Sequence, residues 1–197
     1  MGFQSVLSMA HRLVGERLSS GGIAVDATTG NGIDTAFLAK TVGPKGTVYG
    51  FDIQKAALEA TRRRVEGECG AGQVPGLTLW LASHERMKEL IPAESHGSVS
   101  AVMFNLGYLP GAEAENARAV TTRTDSTLAA LEAAMELLKP KGALTVVVYP
   151  GHAGGDAEAE AVAEWAERLP ASLGQAVYYR MAQKKAGPYL IAVEKKS

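Results

Sequence analysis

Two carboxylates flank a pair of glycines near the start of the chain, a combination suited to holding a nucleotide-like ligand. Asp26 precedes the segment Gly30-Asn31-Gly32, and Asp34 follows it. Glycines at this spacing allow a sharp turn and let a ligand approach the backbone closely. The apolar residues 23–25 predict a buried strand before the turn, and the residues after it predict a helix. A strand, a glycine turn and a helix start together predict a nucleotide-type pocket at the carboxyl edge of a sheet.

The charge around this turn restricts the ligand. A pyrophosphate favours a helix N-terminus free of negative charge, and Asp34 stands at that place. A cation would be attracted instead, and S-adenosylmethionine carries both a sulfonium and an α-ammonium group. The third small position is Thr35, so the turn departs from the G-x-G-x-x-G pattern of NAD sites. The pattern therefore favours S-adenosylmethionine over NAD, and a helix N-cap role for Asp34 is compatible with this.

Polar residues also follow the next two predicted strands. Asp52 ends the second strand about 20 residues after the turn, where an acidic side chain can accept hydrogen bonds from ribose hydroxyls. The alternative is a solvent-exposed carboxylate at a strand end. Ser83 and His84 follow the third strand, where the adenine ring of a bound nucleoside would reach. The alternative there is a helix cap by Ser83 beside a partly exposed His84.

The loops after the fourth and fifth strands predict an acceptor site. Asn105 offers an amide oxygen, and Tyr108 offers a ring face for a planar or cationic group. Arg123 could hold a phosphate or carboxylate of the acceptor, while Thr124 or its neighbour could cap a helix. His152 lies in a glycine-rich segment and could take a proton from an amine. A packing tyrosine and a surface histidine are the alternatives.

Apolar runs of strand type alternate with helical ones along the chain. Helices are predicted over residues 4–19, 34–42, 55–68, 85–90, 125–138 and 156–169, and strands over 23–28, 47–52, 77–82, 99–105, 143–149, 175–182 and 189–194. Turn residues separate several of them, for example residues 43–46 and 139–142. The last two strands lack an intervening helix and should pair as an antiparallel hairpin. The prediction is an α/β fold with a mostly parallel seven-stranded sheet in a single domain, residues 1–197, on which an N-terminal helix within residues 1–20 packs.

Composition sets further bounds. The 197 residues are 46% hydrophobic and 21% charged, which is typical of a soluble globular protein. No apolar run approaches the roughly 20 residues of a membrane helix, and no secretory signal is visible. Cys69 is the only cysteine, which excludes an intrachain disulfide and suits the cytoplasm. The net charge of −1 leaves a nucleic-acid partner open, and no cluster of residues has metal-ligand spacing.

Six segments together resemble class I S-adenosylmethionine-dependent methyltransferases, which have a Rossmann-like fold. More narrowly, they resemble a bacterial family first described as rRNA methylases and now associated with tRNA wobble-uridine modification, the MnmM-type 5-(aminomethyl)uridine methyltransferases. The segments are D-A-T-T-G-N-G-I-D-T, F-D-I-Q, S-H-E, N-L-G-Y-L-P-G, T-T-R-T-D-S-T and Y-P-G-H-A-G-G.

The resemblance implies methyl transfer from S-adenosylmethionine to the amine of 5-aminomethyl(-2-thio)uridine in the tRNA anticodon loop. It places the cofactor on Asp26, Gly30, Asn31, Gly32, Asp34, Thr35, Asp52, Gln54, Ser83, His84 and Asn105. It places the acceptor on Leu106, Gly107, Tyr108, Arg123, Thr124, His152 and Gly154. Asn105, Tyr108 and His152 would be catalytic, with His152 or a bound water accepting the amine proton.

Other functions are compatible with the sequence. The same fold could methylate rRNA or a small-molecule amine, or it could serve as a noncatalytic module that binds S-adenosylmethionine or RNA. A nicotinamide oxidoreductase is disfavoured by Asp34 and the missing third glycine. A homodimer is a further expectation, because small RNA enzymes without a docking domain often gain contact surface by pairing.

Overall fold

One seven-stranded sheet organises the chain in a computed structural model, which describes residues 2–107, 122–151, 155–184 and 186–196. The strands are β1 (Ile23–Asp26), β2 (Thr47–Asp52), β3 (Gly76–Leu81), β4 (Val99–Asn105), β5 (Leu138–Val148), β6 (Gly174–Arg180) and β7 (Tyr189–Lys195). Their order across the sheet is β3-β2-β1-β4-β5-β7-β6. The first five strands are mutually parallel, and β7 runs antiparallel to both of its neighbours. The predicted α/β fold, with its C-terminal antiparallel hairpin, is confirmed.

Helices cover both faces of the sheet. They are α1 (Val6–Gly15), α2 (Ile33–Val42), α3 (Lys55–Cys69), α4 (Met87–Leu90), α5 (Thr124–Leu137) and α6 (Gly155–Arg168). Helices α1, α2 and α3 bury apolar residues against one face, and α4, α5 and α6 bury theirs against the other. Strands covered on both sides carry continuous apolar runs, which explains why β4 is almost entirely buried and why β5 is buried from Gly142 to Val148.

The first helix is shorter than predicted. It begins after Ser5, whose hydroxyl accepts a hydrogen bond from the Ser8 N–H at 3.1 Å, and it ends at Gly15. Glycine has a low helix propensity, so the helix ends there although the apolar spacing continues to Leu18. Among the described residues, no helix is both long and apolar enough to cross a membrane.

Strand β5 begins earlier than predicted, at Leu138, and the predicted turn over residues 139–142 lies inside it. The register with β4 shifts between the pairs Val99–Leu138 and Ala101–Ala143, so these residues form an irregular insertion in the strand. Lys141 has a φ of 64°, and a Cβ at Gly142 would lie 2.9 Å from the carbonyl oxygen of Lys139. Residues 139–142 therefore form a local irregularity, and the pairing of β5 with β4 continues on both sides of it.

The strand order places a crevice at one point of the sheet edge. The chain adds β2 and β3 on one side of β1 and then crosses to β4 on the other side. The loops after β1 and β4 consequently diverge at the carboxyl edge, and ligands of open α/β sheets bind at this kind of switch point.

Candidate active site

A cavity of about 700 Å³ opens at this switch point. One half, here the cofactor half, is lined by residues of 27–31, 33–34, 51–54 and 82–85; the other, the acceptor half, is lined by residues 105–107, 122–123, 125–126 and 149. The polar residues predicted at the ends of β2, β3 and β4 therefore line one cavity, because the carboxyl ends of parallel strands share an edge. They are Asp52, Ser83, His84 and Asn105.

The glycine turn is held from outside by α3. Gly32 has a φ of 77°, and a Cβ at this position would lie 2.6 Å from the Thr61 Cα, so only glycine fits without displacing the helix. The Thr61 hydroxyl donates to the Gly30 carbonyl at 3.2 Å, and the Arg64 Nε donates to the Asn31 carbonyl at 2.7 Å. Helix α3 thus holds one side of the turn, and Gly30 and Asn31 line the cavity on the other side.

Asp52 joins the glycine turn to the end of β2. Its Oδ2 accepts a hydrogen bond from the Gly30 N–H and its Oδ1 accepts one from the Gln54 N–H, both at 2.9 Å. Burial raises the pKa of this carboxyl, and the backbone hydrogen bonds oppose that rise. Asp52 also lines the cavity, where a carboxylate can accept hydrogen bonds from a ligand.

Two large apolar side chains line the cofactor half together with Asp52. Ile33 is 59% exposed and Ile53 is 57% exposed, although both line the cavity. Isoleucine side chains that stay exposed in a concave site offer apolar surface to a planar ring. The cofactor half therefore combines apolar walls with carboxylates.

Asp26 has a different environment from the one that the sequence suggested. It is fully buried, accepts hydrogen bonds from the Thr28 N–H at 3.1 Å and the Thr35 hydroxyl at 2.5 Å, and does not line the cavity. Gly32 and Thr35 do not line it either. Burial, and then the negative charge of Asp34, raise the pKa of Asp26 to about 7, while the Thr35 hydrogen bond opposes this.

Stability should depend on pH through Asp26. Its folded-state pKa of about 7 lies above the ordinary value of 3.8, so the stability it contributes is complete below the ordinary value and is lost as pH rises through 7. We expect the free energy of unfolding of the wild type, relative to Asp26→Asn, to fall by on the order of 2 kcal/mol between pH 5 and pH 8. Urea unfolding of both proteins at the two pH values measures this, and parallel pH profiles would contradict it.

Asp34 lies in the first turn of α2 and lines the cavity. It does not cap the helix, because the N-cap residue is Gly32. Its Oδ1 instead pairs with the Nε2 of His11 on α1, at 2.6 Å. Sequence analysis missed His11, since only packing brings α1 beside α2.

His84 closes the wall of the cofactor half. Its side chain is buried, and its Nε2 has no hydrogen-bond partner among the described residues. Burial lowers the pKa of His84, and a hydrogen bond with the Ala27 backbone opposes this. The imidazole is therefore neutral near pH 7 and does not repel a cationic ligand. Ser83 makes no capping hydrogen bond to the turn that follows, so the alternative of a helix cap finds no support.

Asn105 and Tyr149 form the start of the acceptor half. The Asn105 N–H donates to the Thr28 hydroxyl at 2.8 Å, which ties the end of β4 to the loop after β1. Burial and the charge of Asp34 raise the pKa of Tyr149, and a hydrogen bond with the Asn105 side chain opposes this. Sequence analysis missed Tyr149, although its place directly after β5 matches that of Asn105 at the end of β4.

The segment before α5 is anchored by a buried carboxylate. Glu158 on α6 accepts hydrogen bonds from the hydroxyls of Thr122, at 2.5 Å, and Thr127, at 2.7 Å. Arg123 lies in this segment and lines the cavity, as do Leu106 and Gly107. Thr124 begins α5 without lining the cavity or capping the helix.

Three predicted acceptor residues, Tyr108, His152 and Gly154, lie outside the described residues and stay predictions. In the part of the chain that the structure describes, no group of three or more histidine, cysteine or acidic side chains could hold a metal ion.

Comparison with known proteins decides the family. A family model described as "Putative rRNA methylase" matches residues 48–194. The chain belongs to this family. It is a methyltransferase with S-adenosylmethionine as its cofactor. The residues present fit that group, since the cofactor half combines apolar walls with the carboxylates of Asp34 and Asp52, which suits a cationic nucleoside.

The methylase is similar to characterised and solved proteins over almost its whole length. It is 35% identical, over 99% of its chain and 71% of the relative, to "tRNA (mnm(5)s(2)U34)-methyltransferase, chloroplastic" of Arabidopsis thaliana. A crystal structure of a "putative rRNA-methylase" from Clostridium thermocellum matches with a TM-score of 0.89 and 35% identity, covering 99% of this chain and 100% of that one. "SMU.1697c, a putative methyltransferase" from Streptococcus mutans, solved in complex with SAH, matches with a TM-score of 0.83 and 31% identity, covering 98% and 99%.

Proposed function

We propose that this methylase transfers a methyl group to the primary amine of 5-aminomethyl(-2-thio)uridine at the wobble position of tRNA. The observation that carries the proposal is the Asn105–Tyr149 pair at the junction of the two cavity halves, an uncharged polar site beside the carboxylate of Asp34. The similarity to a relative named as a tRNA (mnm5s2U34)-methyltransferase supports the same substrate class.

In this proposal, five residues of the cofactor half hold the cofactor. Asp52 accepts hydrogen bonds from the ribose hydroxyls, and Ile33 and Ile53 contact the adenine ring. Asp34 holds the cationic amino-acid end, and the neutral His84 completes the wall without adding positive charge. When bound, the cofactor supplies a methyl group activated by the positive charge on its sulfur.

The acceptor half must bind the amine in its neutral form, because a protonated amine has no electron pair to donate. Partial burial beside Leu106 and Tyr149 disfavours the charged form of the amine. The amide nitrogen of Asn105 faces Tyr149, so its amide oxygen can accept a hydrogen bond from an N–H of the substrate amine. This hydrogen bond directs the lone pair of the amine nitrogen. The amine nitrogen gains the methyl carbon as the carbon–sulfur bond breaks with its electrons going to sulfur. The surplus proton then leaves the nitrogen for His152 or a water.

Arg123 supplies positive charge on the acceptor side of the cavity. The chain as a whole carries a net charge of −1, so binding of RNA depends on local contacts rather than on a general basic surface. A guanidinium beside the target nucleoside can bind a phosphate oxygen with two parallel hydrogen bonds.

A second substrate, rRNA, is favoured by the description of the family model. The deciding experiment incubates the protein and S-adenosylmethionine with tRNA from cells that cannot complete wobble aminomethyluridine, and separately with unmodified rRNA. Nucleoside mass spectrometry should show conversion of aminomethyl- to methylaminomethyl-uridine in tRNA alone. Methylated nucleosides in rRNA alone would transfer the proposal to rRNA, and methylation of neither would redirect it to small-molecule amines.

We also propose that residues 1–197 act as one domain and that two copies of the protein pair. We further propose that the protein works in the cytoplasm and does not associate with a membrane. Light scattering of the purified protein measures the number of copies. A monomer at the concentration that methylates tRNA would contradict pairing.

A further inference from the structure

Helix α1 precedes the alternating strands and helices of the sheet, and it brings His11 into contact with Asp34, which lines the cofactor half. Its buried residues Ala10 and Val14 pack in the same cluster as Met103 of β4 and Leu190 of β7. His11 follows Ala10 directly and lies against α2 rather than against the sheet. The docking of α1 on the sheet therefore fixes where the His11 ring stands.

Two contacts hold that ring. It stacks on Phe37 of α2 with the ring centroids 4.0 Å apart and an angle of 3° between the planes. Its Nε2 lies 2.6 Å from the Asp34 Oδ1. The side chain of His11 is 26% exposed and that of Asp34 is 9% exposed, so the pair is largely shielded from solvent, and Asp34 lines the cavity.

The pairing leaves one carboxylate oxygen of Asp34 for other partners. Oδ1 is occupied by His11, while no described residue donates a hydrogen bond to Oδ2. Asp34 also lies near the buried carboxyl of Asp26, and its negative charge raises the pKa of Asp26. Without the hydrogen bond to His11, repulsion between these two carboxyl groups would favour an Asp34 rotamer that points toward solvent. Among the described residues, His11 is the side chain that pairs with the Asp34 carboxylate.

We propose that His11 is a positioning residue, which fixes the Asp34 side chain so that its second oxygen faces the cationic amino-acid end of the cofactor. The inference rests on the proposed role of Asp34 in holding that end. His11 itself acts through Asp34, and the stack on Phe37 keeps the imidazole plane at the angle that this hydrogen bond needs.

Two substitutions separate this role from simple packing. His11→Phe keeps an aromatic ring that can stack on Phe37 but removes the hydrogen-bond donor. His11→Gln loses the ring but keeps an N–H donor at a reach similar to that of Nε2. Arg12→Ala, on the exposed side of the same helix, is the matched control, because Arg12 pairs only with Glu16 among the described ion pairs.

Calorimetry with two ligands tests the proposal without any turnover. S-adenosylhomocysteine carries the amino-acid end, and 5′-methylthioadenosine lacks it. We expect His11→Phe to weaken binding of S-adenosylhomocysteine by about 10-fold and to leave methylthioadenosine unchanged, with His11→Gln recovering most of the loss. In the Asp34→Asn background, His11→Phe should cause no further loss. Melting temperatures of the ligand-free variants report separately on folding.

Three results would contradict the proposed role of His11. Equal loss of both ligands in His11→Phe, or an unchanged affinity for S-adenosylhomocysteine, would overturn the proposal. Normal binding by Asp34→Asn would overturn it as well. Because no acceptor is present, these results are distinct from a failure to methylate tRNA, which concerns only the proposed substrate.

Discussion

Replacing Asp52 with alanine is expected to raise the dissociation constant for S-adenosylhomocysteine about 100-fold. The carboxylate accepts hydrogen bonds from the Gly30 and Gln54 N–H groups and lines the cavity, where we expect it to accept hydrogen bonds from both ribose hydroxyls. A hydrogen bond to a charged group contributes about 1.5–3 kcal/mol, so two lost ribose bonds cost roughly 3 kcal/mol. Loosening of the glycine turn adds to the loss. Isothermal titration calorimetry measures the change directly.

Glu59→Ala is the matched control for this substitution. Glu59 is an exposed carboxylate on α3 that pairs with Lys55, one helical turn away, and it does not line the cavity. Its removal changes the net charge by the same amount and should leave the affinity unchanged. If Asp52→Ala and Glu59→Ala bind S-adenosylhomocysteine equally well, Asp52 has no part in holding the ribose.

The second large effect is expected at Asn105, where alanine should lower kcat by about 100-fold while the KM for S-adenosylmethionine changes less than about threefold. The amide aims the amine lone pair, and a misplacement of about 1 Å in a reacting group can cost about 100-fold in rate. The cofactor half is built from other residues, so cofactor affinity should be preserved. Steady-state rates on aminomethyluridine-containing tRNA, with cofactor and tRNA varied in turn, separate the two constants.

Gln175→Ala serves as the control for Asn105→Ala, because Gln175 lies on β6 at the far end of the strand order. Tyr149→Phe adds a graded comparison, since it removes the hydroxyl that orients the amide but keeps the ring. We expect its kcat to fall between those of the wild type and Asn105→Ala. An unchanged kcat in Asn105→Ala would remove Asn105 from the catalytic roles.

The positions of the polar residues at the strand ends were predictable from the sequence, because all parallel strands end at the same edge of the sheet. Apolar runs mark the buried strands, and a polar residue at the carboxyl end of each run must lie on the shared edge. Asp52, His84 and Asn105 were found in this way, and all three line the cavity. The glycine turn was predictable for a related reason, since Gly32 needs both its positive φ and its close contact with Thr61.

The direction in which a polar side chain points was harder to predict. Asp26 also ends a strand, yet its carboxylate turns inward to Thr28 and Thr35 and is fully buried. The sequence shows where the strand ends but not which neighbours compete for the side chain. His11 and Tyr149 were missed because each acts through a contact between elements distant in sequence, which no local pattern reports.

The place of β7 has a consequence for the order in which the protein folds. This strand, the last in the described sequence, lies between β5 and β6, and its Leu190 belongs to the cluster on which α1 packs. Contacts such as the one between the Tyr179 hydroxyl and the Gln4 carbonyl, which are 175 residues apart, form only after that strand is in place. Pairing across such separations is slow, because the entropy of closing a long loop must be overcome first. Helix α1 contacts β5 and β7, so its packing on the sheet is complete only after the C-terminal hairpin has paired.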